Sequence, residues 1–261
     1  MIETGTVYLV GAGPGDLELL TLKAARLIEN ADVVVYDRLV SPEILNLVQQ
    51  GTARIDVGKR TGCHPVPQDS INQILIKLSR SNKSIVRLKG GDPMIFGRGG
   101  EEVAALQEAG IKVETVPGIT AAQGCAASLN MPLTQRGIAD SLLYVTGHSA
   151  KDALPNINWK PIGEKHTTAV VYMGLANIAG LVDEMICAGV SPRTPALAIR
   201  NGTLPTQTQV FTNVENLCND VTSLAGEGPV LFVIGEAAGN DQCVNEGLLA
   251  GGVDAISSVP R

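Results

Sequence analysis

The feature that most constrains this chain is a repeated order in its first half: a short β-branched run, a glycine-containing turn, then a stretch of helical periodicity. It begins with TVYLV (6–10) and a helical stretch over 17–30, and repeats with DVVVY (32–36) and a helical stretch over 42–50. Over 67–81, Ile71, Ile74, Leu75 and Leu78 fall at i, i+3, i+4 and i+7, leaving Asn72, Gln73 and Lys77 for solvent. That spacing predicts an amphipathic helix whose apolar stripe faces a sheet. Strand-like runs at 84–88 and 112–116 flank a helical stretch over 100–109 that stops at Gly110, a residue type favoured just past a helix end. Alternating strands and helices with apolar strands predict an α/β fold: a mostly parallel sheet covered on both faces.

Pro117-Gly118 interrupts the alternation. After a helical stretch at 120–129, strand candidates follow at 142–146, 168–172, 195–199, 207–211 and 229–234, with helices near 175–188 and 214–224. Three of these strands lie close enough to pair without a crossover helix, so this half is expected to be a mixed α/β domain. The expected division is 1–117, 118–240 and a surface tail at 241–261, with a ligand cleft between the two domains. The 44% hydrophobic and 18% charged content is that of a globular chain. A net charge of −6 argues against nucleic acid or an anionic membrane as partner, and an anionic ligand would need a local basic pocket. The N-terminus has no basic leader, and no apolar run reaches the ~18 residues of a membrane span, so a cytoplasmic location is expected. Five cysteines, odd in number and widely spaced, suggest buried free thiols, and with three histidines lacking ligand spacing no metal site is expected.

Glycine loops carry the chemistry. GAGPGD (11–16) sits between the first strand and a helix, where positive φ, close backbone approach and a helix N-terminus favour an anionic or nucleotide ligand. Asp37 follows Gly15 by 22 residues, as a ribose-binding carboxylate does in dinucleotide folds. The Gly-x-Gly-x-Gly spacing and Pro14, which lacks an N–H, weigh against a pyrophosphate site, and a tight turn with Asp16 as N-cap explains the loop equally well. RLKGGDP (87–93) and IFGRGGEE (95–102) also follow a strand, and two such loops can line one crevice outside the strands' carboxyl ends. Thr120 at the domain junction suits either a helix cap or a cofactor contact. Cys63 and His64 are adjacent on an extended chain and point apart, which makes a poor nucleophile–base pair.

Together with YDRLVS (36–41), VGKR (57–60), VPGITAAQGCAA (116–127), MPLTQR (131–136), VTGH (145–148), YMG (172–174) and NGT (201–203), these segments closely resemble the uroporphyrinogen-III C-methyltransferases of the tetrapyrrole methylase superfamily. The resemblance runs in order over roughly 235 residues. It implies a homodimer of two-domain α/β subunits, with S-adenosylmethionine folded into the interdomain cleft. It implies transfer of two methyl groups to rings A and B of uroporphyrinogen III, giving precorrin-2 for sirohaem, cobalamin or haem d1. By the same resemblance Pro14, Gly90, Gly91, Asp92, Ile95, Thr120, Ala121, Met173 and Gly202 fall on cofactor-binding positions. Asp37 and Lys59 match a proton acceptor and donor, Arg98 is a rival for proton handling, and Glu101 and Arg136 match substrate-binding positions.

Met94, Gln135 and Arg200 depart from the family's usual Phe, His and acidic residue. The dehydrogenase and chelatase module of fused sirohaem synthases is not found in this chain, so methylation alone is expected of it. Scarce aromatics, four Tyr, three Phe and one Trp, argue against an aromatic sandwich around the macrocycle. Two other readings exist. A nicotinamide-dependent dehydrogenase rests on GAGPGD and Asp37 but leaves GGDP and the arginine loops unexplained. A non-catalytic tetrapyrrole or S-adenosylmethionine sensor is disfavoured by the presence of Asp37, Lys59, Arg98 and Arg136.

Overall fold

The computed structural model describes residues 3–58, 66–81, 83–148, 154–164, 166–224 and 226–239. The first half forms a five-stranded sheet from β1 (Thr6–Gly11), β2 (Val33–Tyr36), β3 (Ala53–Asp56), β4 (Ile85–Lys89) and β5 (Lys112–Val116). Its order is β3-β2-β4-β1-β5, and every pairing is parallel. Crossover segments carry α1 (Leu22–Glu29), α2 (Pro42–Leu45), α3 (Gln68–Ser79) and α4 (Gly99–Glu108). Both faces are covered, as the apolar strands require. Ala24, Ile28 and Ile44 pack with Tyr8, Val10, Val86 and Leu88 on one face. On the other, Ile71, Leu75 and Leu106 pack with Val7, Leu9, Val35 and Ile85.

The helix expected over 17–30 is shorter than its periodicity suggests. Asp16 Oδ1 accepts from the Glu18 N–H at 2.9 Å and caps a single 3-10 turn, Leu17–Leu19. Thr21 then starts α1 afresh, its hydroxyl accepting from the Ala24 N–H at 3.1 Å. Short polar side chains that bond nearby backbone compete with a continuous helix, and here two such caps divide it. The stretch expected at 42–50 likewise narrows to α2, and α3 begins and ends within the 67–81 window.

The second half contains α5 (Ala121–Ser128), β6 (Ala139–Thr146), α6 (Lys160–Gly163), β7 (His166–Tyr172), α7 (Ile178–Cys187), β8 (Pro195–Arg200), β9 (Thr208–Asn213), α8 (Leu217–Asp220) and β10 (Val230–Ile234). Its sheet runs β6-β7-β10-β8-β9; β6 and β7 are parallel and the other neighbours antiparallel. Strands β8 and β9 are joined by a short connection and pair antiparallel, and β10, which follows α8, pairs on the other side of β8, giving the mixed sheet that is expected. Helix α5 belongs to this body: Ala122, Cys125 and Ala126 pack with Val170, Leu197, Ile199 and Leu231. The stretch expected as a helix at 214–224 holds only α8 and a 3-10 turn at Val221–Ser223.

The cysteines need a correction. Cys125 is buried, but Cys187, at the end of α7, is exposed, and Cys218 on α8 is half-buried against the edge of the second core. Cys63, His64 and the expected tail at 241–261 lie outside the described residues. Among the described residues, no helix is long and apolar enough to cross a membrane.

The two halves meet backbone against backbone. A β-carbon on Gly118 would stand 2.2 Å from the Gly91 carbonyl oxygen and 2.9 Å from Gly11 Cα, closer than real contacts allow. Gly118→Ala is therefore expected to destabilise the protein by about 1–3 kcal/mol, the range for overpacking a tight site. Gly100, in the first turn of α4, has open space where a β-carbon would lie. Gly100→Ala should leave stability unchanged or raise it by up to about 1 kcal/mol. Denaturant unfolding of both variants tests this contrast; equal midpoints would contradict it.

Candidate active site

The carboxyl ends of β1, β2 and β4 send their loops into one cleft, and the second half closes it from the other side. The result is a cavity of about 520 Å³, within the size range of small-molecule sites. The loops after β1 and β4 are tied by a two-bond bridge: the Gly13 N–H donates to the Gly91 carbonyl at 3.1 Å, and the Gly91 N–H to that of Gly13 at 2.7 Å. Gly91 has φ +67°, and a side chain there would extend into open space beside the cleft. Asp92 secures the same loop, with Oδ1 accepting from the Met94 N–H at 2.7 Å and Oδ2 from the Gly118 N–H at 3.0 Å.

From the second half, Thr120 caps α5 and also lines the cavity. The Tyr172 hydroxyl accepts from the Ala122 N–H at 3.2 Å, and its ring stands 5.0 Å, centroid to centroid, from Phe96 in the loop after β4. Two of the few aromatics thus bridge the halves at the cavity wall. Four non-glycine residues lining the cavity have left-handed backbone: Phe96 (φ 51°), Arg98 (φ 58°), Met173 (φ 54°) and Asn201 (φ 53°). Such conformations cost about 1–3 kcal/mol each and gather where a site dictates side-chain direction. Arg98 shows the effect: at the N-cap of α4 its chain turns out of the helical path and toward the cavity.

One wall is charged. On β4, Ile85, Arg87 and Lys89 share a face, passing from the apolar core under α3 and α4 to the cavity. Glu102, in the first turn of α4 and 0% exposed, receives Arg87 Nε at 3.2 Å, Lys89 Nζ at 2.9 Å and Gln68 Nε2 at 3.0 Å, all on Oε1. Its Oε2 is buried without a partner among the described residues. Arg87 also reaches Asp37 Oδ2 at 3.4 Å, while Asp37 Oδ1 accepts from the Leu39 N–H at 3.1 Å. Burial, reinforced by the Arg87 guanidinium, pulls the Lys89 ammonium below its ordinary pKa, and Glu102 opposes the shift. Cys125 also lines the cavity, but burial pushes its thiol up to about 12, so it is no thiolate nucleophile near neutral pH.

The cavity wall brings together Pro14, Asp37, Gly90, Gly91, Asp92, Ile95, Arg98, Thr120, Ala121, Met173 and Gly202. Glu101 and Arg136 are not part of that wall: Glu101 forms a two-bond pair with Arg98, at 2.8 and 2.7 Å, and Arg136 is exposed in the turn before β6. The Arg98 guanidinium holds the Glu101 carboxyl below its ordinary pKa. Lys59 lies outside the described residues. Arg200, one of the departures from the family pattern, bonds the Gly228 carbonyl at 3.1 Å and is not a wall residue. The sequence reading missed Arg87, Lys89, Gln68 and Glu102 as a cluster. A signal was present, since two cations at i and i+2 in an otherwise apolar strand must share a face and require a buried partner.

The comparisons with known proteins agree with this geometry. The family model for Tetrapyrrole (Corrin/Porphyrin) Methylases matches residues 6–218. A uroporphyrinogen-III C-methyltransferase of Paracoccus denitrificans is 47% identical over 234 residues, spanning 90% of this chain and 82% of that protein. A siroheme synthase of Hahella chejuensis is also 47% identical over 234 residues, and the chain spans about half of its length (50%). The crystal structure of uroporphyrin-III C-methyl transferase from Thermus thermophilus complexed with S-adenyl homocysteine superposes with a TM-score of 0.75 at 38% identity, over 89% of this chain and 92% of that one. With its two α/β sheets and the glycine-lined cleft between them, the chain belongs to the tetrapyrrole methylase family.

Proposed function

We propose that the chain is an S-adenosylmethionine-dependent C-methyltransferase that methylates uroporphyrinogen III at rings A and B to give precorrin-2, feeding sirohaem, cobalamin or haem d1 formation. The observation that carries this reading is the division of one cleft into a glycine-backbone cradle and a cationic wall. In a chain of net charge −6, the charged residues lining the cavity, among those described, are Arg38, Arg87, Lys89 and Arg98 against Asp37 and Asp92. Both oxygens of Asp92 are already engaged by backbone N–H groups. That is the local basic pocket an octacarboxylate requires. The open space at Gly91 fits a methyl donor lying against bare backbone.

Bound there, S-adenosylmethionine supplies an electrophilic sulfonium methyl. The protein's contribution is chiefly to align a pyrrole carbon with that methyl, and such alignment is worth roughly 7–11 kcal/mol of a barrier. As the carbon–methyl bond forms, the sulfur–methyl bond breaks and the pyrrole nitrogen gives up its proton. In this reading Asp37 accepts it; the Arg87 and Leu39 N–H contacts that steady its carboxylate at the carboxyl end of β2 support that role. Arg98 does not act as a base, because a guanidinium essentially keeps its proton; it orients the substrate or stabilises charge. Lys59 is the matching proton donor by family resemblance. Glu101 and Arg136 join the substrate site on binding, Glu101 by yielding Arg98 to a substrate carboxylate. The active species is a cytoplasmic homodimer, with 1–117 and 118–240 as its two domains.

Incubating the protein anaerobically with uroporphyrinogen III and methyl-labelled S-adenosylmethionine should carry label into the macrocycle; folded protein that transfers none would overturn the reading. Arg98→Ala should lower kcat by about 10²-fold or more while S-adenosylhomocysteine still binds. Near-normal turnover would remove Arg98 from the mechanism. Gly91→Val should weaken S-adenosylhomocysteine by more than about tenfold in calorimetry, and unchanged affinity would show that the loop does not meet the cofactor.

A further inference from the structure

Arg87 and Lys89 are the two buried cations of the cavity wall, and their hydrogen bonding differs in a way that matters for the ligand. The Arg87 guanidinium is tied through all three of its nitrogens, Nε to Glu102, Nη1 to the Leu88 carbonyl and Nη2 to Asp37, so three of its five N–H groups are used and its plane is fixed, whereas Lys89 is held at a single point. An ammonium has three N–H groups. For Lys89, among the described residues, Glu102 Oε1 alone accepts from Nζ, at 2.9 Å. The side chain is only 5% exposed, so bulk water has little access to what remains.

The charges are unequal as well. The fully buried members of the cluster are Arg87, Lys89 and Glu102, two cations around one carboxylate. Of the other anions nearby, Asp37 is one-quarter exposed and turned to Arg87, and Glu101 is exposed and paired with Arg98. A buried excess of positive charge with unused donors is costly unless an anion completes it. The unpartnered Glu102 Oε2 adds to that cost, so the cluster is poorly explained as a stabilising device alone.

We propose that Lys89 anchors the substrate: pinned by Glu102 at the cavity wall, its ammonium turns its two remaining N–H groups to one carboxylate side chain of the tetrapyrrole. The inference rests on the reading of the cleft as a uroporphyrinogen site and adds a specificity-determining contact to it. Glu102 is a positioning residue, holding the amine in place and in its charged form. Among the described residues, the groups facing that amine are Arg87 on its own strand, Glu102 and the more distant Glu101 from α4, the neutral Gln68 from α3, and Asp37 after β2.

The sign of the pH dependence follows from those neighbours. Below its pKa the amine is charged and binds a carboxylate; above it, the contact is lost and KM rises. Burial and Arg87 lower that pKa, whereas Glu102 raises it. Removing the Glu102 charge therefore moves the rise in KM to lower pH.

The test measures kcat and KM for uroporphyrinogen III from neutral to alkaline pH, with S-adenosylhomocysteine calorimetry to confirm folding. Lys89→Met should raise KM about tenfold or more near neutral pH, with a smaller change in kcat. Lys89→Arg, which keeps the charge, should preserve KM within a few-fold and abolish its rise at alkaline pH. Glu102→Gln should bring that rise to lower pH. An unchanged KM in Lys89→Met overturns the proposal. So does an equal loss of kcat in Lys89→Met and Lys89→Arg, which would assign the amine to proton transfer. Wild-type protein inactive on uroporphyrinogen would instead overturn the assigned reaction, so the two failures are distinct.

Discussion

The structure depends on a contact in which three segments of backbone touch with no side chains between them. Gly11 ends β1, Gly91 follows β4 and Gly118 begins the passage to the second half, and each stands within contact distance of another's backbone. The Gly13–Gly91 bridge and the Asp92 bond to the Gly118 N–H lock this junction. The loops after β1 and β4 thereby become one surface, and the second sheet is set over it as the opposing wall. Any β-carbon at Gly118 would wedge the halves apart; at Gly91 it would instead enter the open space beside the cleft.

Charge is partitioned as sharply as shape. The first sheet is covered on both faces by apolar side chains, yet on the α3/α4 face β4 changes from Ile85 to Arg87 and Lys89 as it nears its carboxyl end. Glu102 makes this change tolerable by presenting one carboxylate oxygen to both cations and to Gln68. Its position in the first turn of α4 favours a negative charge, because the helix N-terminus carries partial positive charge. Core, cluster and cavity are thus successive levels of one strand face.

Much of this was legible in the sequence because it is written in local patterns. Parallel strands with apolar faces, the α3 stripe, the Gly110 stop and the close spacing of β8 and β9 each foretold an element or pairing that the structure contains. The loops were legible for the same reason, since runs such as RLKGGDP have few structural uses besides a tight backbone approach. Helix lengths were less legible. Asp16 and Thr21 each satisfy backbone N–H groups that a continuous helix would bond, and that competition is invisible to hydrophobic periodicity. The charged cluster was missed because its members stand on α3, α4 and β4, far apart along the chain. The pairing of Arg98 with Glu101 was not legible either, because it is set by the left-handed backbone of Arg98, which stays on the cavity wall while it holds Glu101.

Loops of both sheets line the one cleft, and in the proposed reaction both close on one cofactor. Hydrogen exchange with and without S-adenosylhomocysteine tests it most directly, because it reports on the backbone of both halves at once. Binding is predicted to slow exchange together in peptides spanning 90–98 and 200–204, leaving β3 and β9 unaffected. Slowing confined to one half, or absent from the 90–98 loop despite saturated binding, would contradict the account.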